Sequence, residues 1–243
     1  MRIHAVHKLY DERLARSTRP FLARGGKVER CLYCMLRTHL CICSSKPDID
    51  SQAAFMLLMY DDEVLKPSNT GRLVADLFKD TFAFIWSRTE PNPDMLALLN
   101  DPQWQPYVIF PAEYAVPERV AAEVSAQPDK RPLFILLDGS WAEAKKMFRK
   151  SPYLNHLPVL SIDPDKPSRY QVREATKANQ LGTAEVAARI VDLYGETKNA
   201  EVLDLWFDVF RERYMTGKLN RTLPEANALK DLSECMAGYS VIK

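Results

Sequence analysis

An unbroken apolar run that ends on a charge limits what this chain can become. Leu133, Phe134, Ile135, Leu136 and Leu137 are followed at once by Asp138, Gly139, Ser140 and Trp141. A run of that length, closed by turn residues, reads as a strand buried on both faces. Ser140 and Glu143 have the spacing of a capping box, so the basic segment behind the turn reads as a helix to about Lys150. In an open α/β sheet, ligands bind beyond the carboxyl ends of the strands. Asp138 and Trp141 therefore stand where chemistry is expected.

The rest of the chain supplies more strands of the same kind. Residues 53–60, 81–86, 107–110 and 157–162 are apolar and of strand length, and helical spacing or proline-led starts mark 70–78, 91–99 and 117–126 between them. Strands without polar alternation, separated by helices, predict an α/β fold: a mainly parallel sheet with helices on both faces. The last third reads as helical, with Thr183 capping 184–194, an apolar stripe of Val202, Leu205, Trp206, Val209 and Phe210, and a final helix from about Pro224. No apolar run reaches the roughly 20 residues a membrane span needs. The first residues lack the apolar centre of a secretion signal, which predicts a cytoplasmic protein. G-x-G-x-x-G, the P-loop and G-x-S-x-G are all absent, so a Rossmann cofactor site, a P-loop and an acyl-transfer role for Ser140 have no support.

Residues 1–46 differ in character. They hold ten Lys and Arg against three acidic residues, a balance of +7 in a chain whose net charge is +1. A basic end on a near-neutral protein suits a polyanion, or is simply a solvated arm. Cys31, Cys34, Cys41 and Cys43 fall within thirteen residues. In a reducing compartment such clustering points to a metal, and four thiolates close the tetrahedral shell of a structural zinc. An iron–sulfur cluster is the lesser alternative. Cys235 stands alone and reads as a small buried apolar residue. The chain thus divides at the sequence level into a basic four-cysteine segment, 1–46, and a larger domain, 47–243.

Asp138, Gly139, Ser140 and Trp141 also resemble the D-x-[TS]-W signature of the DTW-domain family. So do Pro67 to Arg72 (P-S-N-T-G-R), the Phe110-Pro111 step, Ala144 to Met147, Ser151-Pro152 with Leu157-Pro158, Ser168 to Tyr170 with Arg173, and Thr183 to Glu185, in the family's order. The cysteine cluster is similar to that of bacterial members. Three positions depart from the pattern: Ser140 for the usual threonine, Tyr60-Asp61 where His-Pro is common, and Ala112 where serine is common.

The resemblance implies a tRNA-uridine aminocarboxypropyltransferase. Such enzymes move the 3-amino-3-carboxypropyl group of S-adenosylmethionine to N3 of a uridine in the tRNA variable loop. It further implies a SPOUT-like, possibly knotted cofactor fold, with tRNA and S-adenosylmethionine as partners and neither membrane nor protein partner. On this reading Asp138 is the candidate base, with Ser140 and Trp141 beside it. Ser68, Asn69, Thr70, Phe110, Pro111, Gly139, Arg169, Tyr170 and Thr183 complete a cofactor site with those three. Lys145, Lys146, Arg149, Lys150, Arg173, Arg30 and Arg37 would meet RNA phosphates. The plainer roles stay open: Asp138 fixing its turn, Trp141 packing on the core, Thr70 capping a helix, Glu185 favouring a helix start. Two other functions also remain open, a SPOUT-like RNA methyltransferase and a non-catalytic zinc-containing RNA-binding module.

Overall fold

A computed structural model describes residues 2–18, 28–125, 127, 129–162, 182–223 and 227–239. Among the described residues, six strands form one parallel sheet: β1 Ala54–Met59, β2 Thr81–Ile85, β3 Trp104–Ile109, β4 Val120–Ala121, β5 Arg131–Asp138 and β6 Val159–Leu160. Their order is β2-β1-β5-β3-β6-β4. Alternate side chains go to opposite faces, as the pleat requires. Phe55, Leu57, Met59, Phe134 and Leu136 join one core, while Ala54, Met56, Leu58, Leu133 and Ile135 join the other.

Helices cover both faces. The first core is closed by α2 Gly71–Leu77, α5 Thr183–Leu193 and α6 Thr197–Leu219, with α7 Ala228–Ala237 packed on α6. The second is closed by α3 Pro93–Asn100 and α4 Trp141–Arg149, through Met95, Leu99, Met147 and Phe148. The consequence for function lies at the sheet's centre. Strands β1 and β5 are neighbours, paired from Ala54↔Leu133 to Met59↔Asp138. The helix after β1 packs on one face and the helix after β5 on the other. Their carboxyl ends therefore flank a topological switch point, where open α/β sheets form a crevice.

The α/β class, the helices on both faces and the helical C-terminus are as the sequence predicts. Several elements differ. The helix expected over 117–126 is not found in its described part, 117–125: Pro117–Arg119 make one 3-10 turn and Val120 and Ala121 then pair with Val159 and Leu160. The Arg119 guanidinium donates to the carbonyls of Leu154 and Leu157, which draws the segment onto the sheet edge. Strand β3 begins at Trp104 and so includes Pro106. The Val108 N–H goes to Pro158 on the β6 side, and Pro106, two residues earlier, faces that side before any strand has begun, so its missing N–H is not needed.

The N-terminus carries a helix that sequence patterning does not predict. Helix α1, Ala5–Ala15, has Val6 and Leu9 inside the first core and packs on β2 and α2. Its inner face is completed by His4 and His7 rather than by aliphatic residues, so no apolar period announces it. Part of the basic surplus is consumed internally. Arg2 donates to the carbonyls of Ala75, Asp76 and Phe78, and Arg13 grips Asp61 with two bonds of 2.8 and 2.7 Å. Cys235 is half-buried on α7 rather than fully buried. Pro224, Arg169, Tyr170 and Arg173 lie outside the described residues.

Phe134 touches the rings of Phe55, Tyr107 and Tyr194 at the middle of the sheet. Phe134→Ala should lower unfolding free energy by about 3–5 kcal/mol in urea titrations, with an unchanged slope.

Candidate active site and metal centre

Asp138 is the last residue of β5 and is 3 % exposed. Its Oδ2 accepts from Asn69 Nδ2 at 2.8 Å and its Oδ1 from Thr183 Oγ1 at 2.6 Å. One carboxylate thereby ties the end of β5 to the loop before α2 and to the first turn of α5. Gly71 walls the site: a Cβ there would collide with Asp138 Oδ2. Burial pushes the Asp138 carboxyl up to about 6, aided by nearby Glu63, while the Asn69 and Thr183 bonds hold it back. Asn69, itself 2 % exposed, also donates to Glu63 Oε1 at 3.3 Å and accepts from the Arg72 N–H at 3.2 Å. Thr183 is the first residue of α5, not its cap; Gly182 takes that place and its N–H meets Glu185 Oε2 at 2.7 Å. Thr70 precedes α2 but spends its hydroxyl on the Ala184 N–H, 3.3 Å away, rather than on its own helix.

Helix α4 begins beside this carboxylate. Ser140 and Glu143 form the capping box the sequence predicts, with Ser140 N to Glu143 Oε2 at 2.7 Å. Trp141, 38 % exposed, stacks on Phe110 at 5.4 Å, and Phe110 stacks in turn on Phe148 at 4.4 Å. Tyr114 meets the indole edge-on and Lys145 Nζ lies 5.6 Å from its ring. On the other side of α4, Lys146 donates to the Tyr60 hydroxyl at 2.9 Å, over a stacked Tyr60–Trp86 pair. The tyrosine at the departure position is thus held by a lysine of the helix it faces. Arg149 and Lys150 are exposed at the end of α4. The rim of the crevice is aromatic and basic, a combination that suits unpaired nucleic-acid bases and their phosphates.

The four clustered cysteines converge. Their sulfurs all lie within 4.8 Å of one another, with Cys31–Cys43 at 3.6 Å and Cys34–Cys41 at 3.8 Å. Zinc–sulfur bonds of about 2.3 Å in a tetrahedron place sulfurs about 3.8 Å apart, so the arrangement fits a tetrathiolate shell. A tight loop makes it: Cys31 N–H meets Leu36 O, Met35 N–H meets Cys31 O, and Met35 takes φ 59° to close the turn. Hydrogen bonding from the Cys43 thiol lowers the Cys34 thiol from its ordinary range, the direction that favours a metal-binding thiolate.

Of the residues singled out from sequence, Asn69 and Thr183 meet on Asp138 and Thr70 bonds the first turn of α5; Gly139 and Ser140 form the turn from Asp138 into α4, and Phe110, Trp141 and Lys145 stand together beside that helix. Ser68 is exposed, and Pro111 leads the 3-10 turn Ala112–Tyr114. Arg30 and Arg37 pair across the metal loop instead: Arg30 donates to Met35 O, and Arg37 packs against Gly217 of α6. Glu63, Tyr114 and Trp86 escape the sequence reading. Only Glu63 leaves a signal there, three residues before Lys66, with which it forms a 2.6 Å ion pair.

Two outcomes follow from this geometry. Asp138 binds its proton more tightly folded than unfolded, so its contribution to stability is present below about pH 4 and lost as pH rises through about 6. The difference in unfolding free energy between wild type and Asp138→Asn should therefore decline over that window and level off above it. Cys34→Ser should reduce zinc, measured by elemental analysis, from about one equivalent per chain to a small fraction of that.

No solved structure matches the chain. A family model described as DTW domain matches residues 28–215, from the metal loop into α6. Its span takes in the cysteine cluster, Asp138 and the first turn of α5 together, and the chain belongs to the DTW-domain family.

Proposed function

We propose that the protein modifies tRNA by transferring the 3-amino-3-carboxypropyl group of S-adenosylmethionine to N3 of a uridine. DTW-family membership is consistent with tRNA modification. The observation that carries the finer reading is a buried carboxylate, raised to about 6, at the switch point of the sheet and three residues before a half-exposed tryptophan. The site suits a cosubstrate with a flat ring and a charged arm, since Trp141 offers a ring face and the Thr183 hydroxyl stands on the carboxylate.

The chemistry needs a nitrogen anion. Uridine N3 must lose its proton before it attacks, and a carboxylate near neutrality is a stronger base than an ordinary one. On this reading Asp138 takes the N3 proton, using the lone pairs left over by Asn69 and Thr183. The sulfonium supplies the electrophile: the N3–Cγ bond forms as the Cγ–S bond breaks, and the electron pair returns to sulfur in methylthioadenosine. The positive charge disappears in that step, so an anion held against sulfur would stabilise the ground state and slow the reaction. Lys145, Arg149 and Lys150 would take the phosphates of the RNA, and Trp141 a base face worth roughly 1–3 kcal/mol.

A second reading of Asp138 is favoured by its burial: the carboxylate acts as a clamp that assembles the site, and the proton leaves to water. Rate profiles separate the two. As base, Asp138 gives kcat an acidic limb near pH 6 that tracks its carboxyl titration by 13C NMR; as clamp, it gives no such limb. The whole proposal is tested by incubating unmodified tRNA with S-adenosylmethionine labelled in the aminocarboxypropyl group and analysing nucleosides by mass. Label in uridine with methylthioadenosine released supports it. Methyl transfer with S-adenosylhomocysteine released replaces it with a methyltransferase, and binding without product with an RNA-binding module. Asp138→Ala should reduce transfer by about 10²–10⁴-fold while the fold persists. Lys145→Ala should lower the salt slope of tRNA binding by about one.

A further inference from the structure

Arg72 has a position that neither fold nor transfer chemistry accounts for. It is one residue into α2 and 1 % exposed, and its Nε and Nη1 have no hydrogen-bond partner among the described residues. Burying a guanidinium unpaired is unfavourable unless nearby negative charge compensates it. Burial opposes its charge, and Asp76, then Cys34, Tyr10 and Asp138, act in its favour. One of those is a thiol of the metal loop and another is the carboxylate of the site.

Contacts run both ways along α2 from this residue, by its backbone N–H toward the site and by way of Asp76 toward the metal loop. Toward the site, the Arg72 N–H meets Asn69 Oδ1 at 3.2 Å, and Asn69 Nδ2 meets Asp138 Oδ2 at 2.8 Å. Toward the metal loop, Asp76 lies one turn further along α2 and 3.4 Å from His4 Nε2. His4 stacks on His7 at 3.7 Å, and His7 Nε2 is 3.1 Å from the carbonyl of Tyr33, between Cys31 and Cys34. A dication held by four thiolates carries a net charge of −2, the sign that a buried guanidinium needs.

We propose that Arg72 is a positioning residue that couples the metal shell to Asp138. The negative charge of the loaded tetrathiolate holds the guanidinium in place, and the Arg72 backbone holds Asn69 on the carboxylate. Metal at the cysteines thereby governs the geometry of the site without taking part in its chemistry. The inference rests on the metal reading of the thiols and on Asp138 as the site's carboxylate, but its test needs no turnover, so the transfer reaction can fail without it.

The full chain is compared with zinc bound and after chelation, with metal content measured on each sample. Amide hydrogen exchange over residues 70–76 should quicken by at least about tenfold on chelation while β1 and β5 stay protected. The Asp138 carboxyl, followed by 13C NMR, should move upward as Asn69 lets go. In Arg72→Met the carboxyl should sit high already and no longer respond to chelation; Arg72→Lys should restore part of the response. If Arg72→Met does not fold, the wild-type comparison decides alone. A chain that takes up no zinc overturns the proposal at the first measurement. So does exchange and titration unchanged by chelation, exchange that quickens uniformly across the sheet, or an Arg72→Met response equal to that of wild type.

Discussion

The structure turns on a pair of hydrogen bonds to one carboxylate. Asn69 precedes α2, Thr183 opens α5, and Asp138 closes β5, so three segments far apart in the chain meet at its two oxygens. An anion taken out of water this completely requires donors, and the two side chains supply them. The bonds do double service: they lower the cost of burial and they fix where α2 and α5 begin. Gly71 is needed for the same reason, since no larger residue leaves room for the carboxylate.

A second polar assembly joins the metal loop to the sheet. His4 and His7 are stacked and held below their ordinary titration range, His7 at about 4, chiefly by burial. Burial favours their neutral forms, in which they act as packing surfaces with polar edges. His7 reaches the Tyr33 carbonyl, and Asp76 receives the Trp206 indole N–H at 3.1 Å. Helix α1, the metal loop, α2 and α6 are therefore seated on one another through specific contacts rather than through apolar area alone. That arrangement links the four-cysteine loop, through His7 and His4, to the helix that Asn69 precedes.

Much of the site is legible in the sequence because its residues sit in local motifs. Ser140 and Glu143 announce a capping box by spacing alone, and Leu133 to Leu137 announce a buried strand, because both signals depend only on near neighbours. The cysteines are legible for the same reason: four ligands within thirteen residues need only a short loop to converge. Helix α1 is illegible because histidines replace aliphatic residues on its inner face. The segment from Pro117 reads as a helix and is not one, because its fate depends on Arg119 bonds to Leu154 and Leu157, some 35 residues away. Thr183 offers a helix cap by type, yet its hydroxyl goes to Asp138, and no local rule contains that partner.

By itself the sequence determined the α/β class, the strand-turn-helix around Asp138 and the convergence of the four thiols, since periodicity, caps and short loops are properties of adjacent residues. Tertiary structure alone decided that β1 and β5 lie side by side with their helices on opposite faces, which creates the crevice. It also decided that Asn69 and Thr183 meet on one carboxylate, and that the Arg72 guanidinium is buried nearby with two nitrogens unbonded among the described residues. Those outcomes depend on which distant segments share a dry interior, where burial and pairing set the energy of every charge.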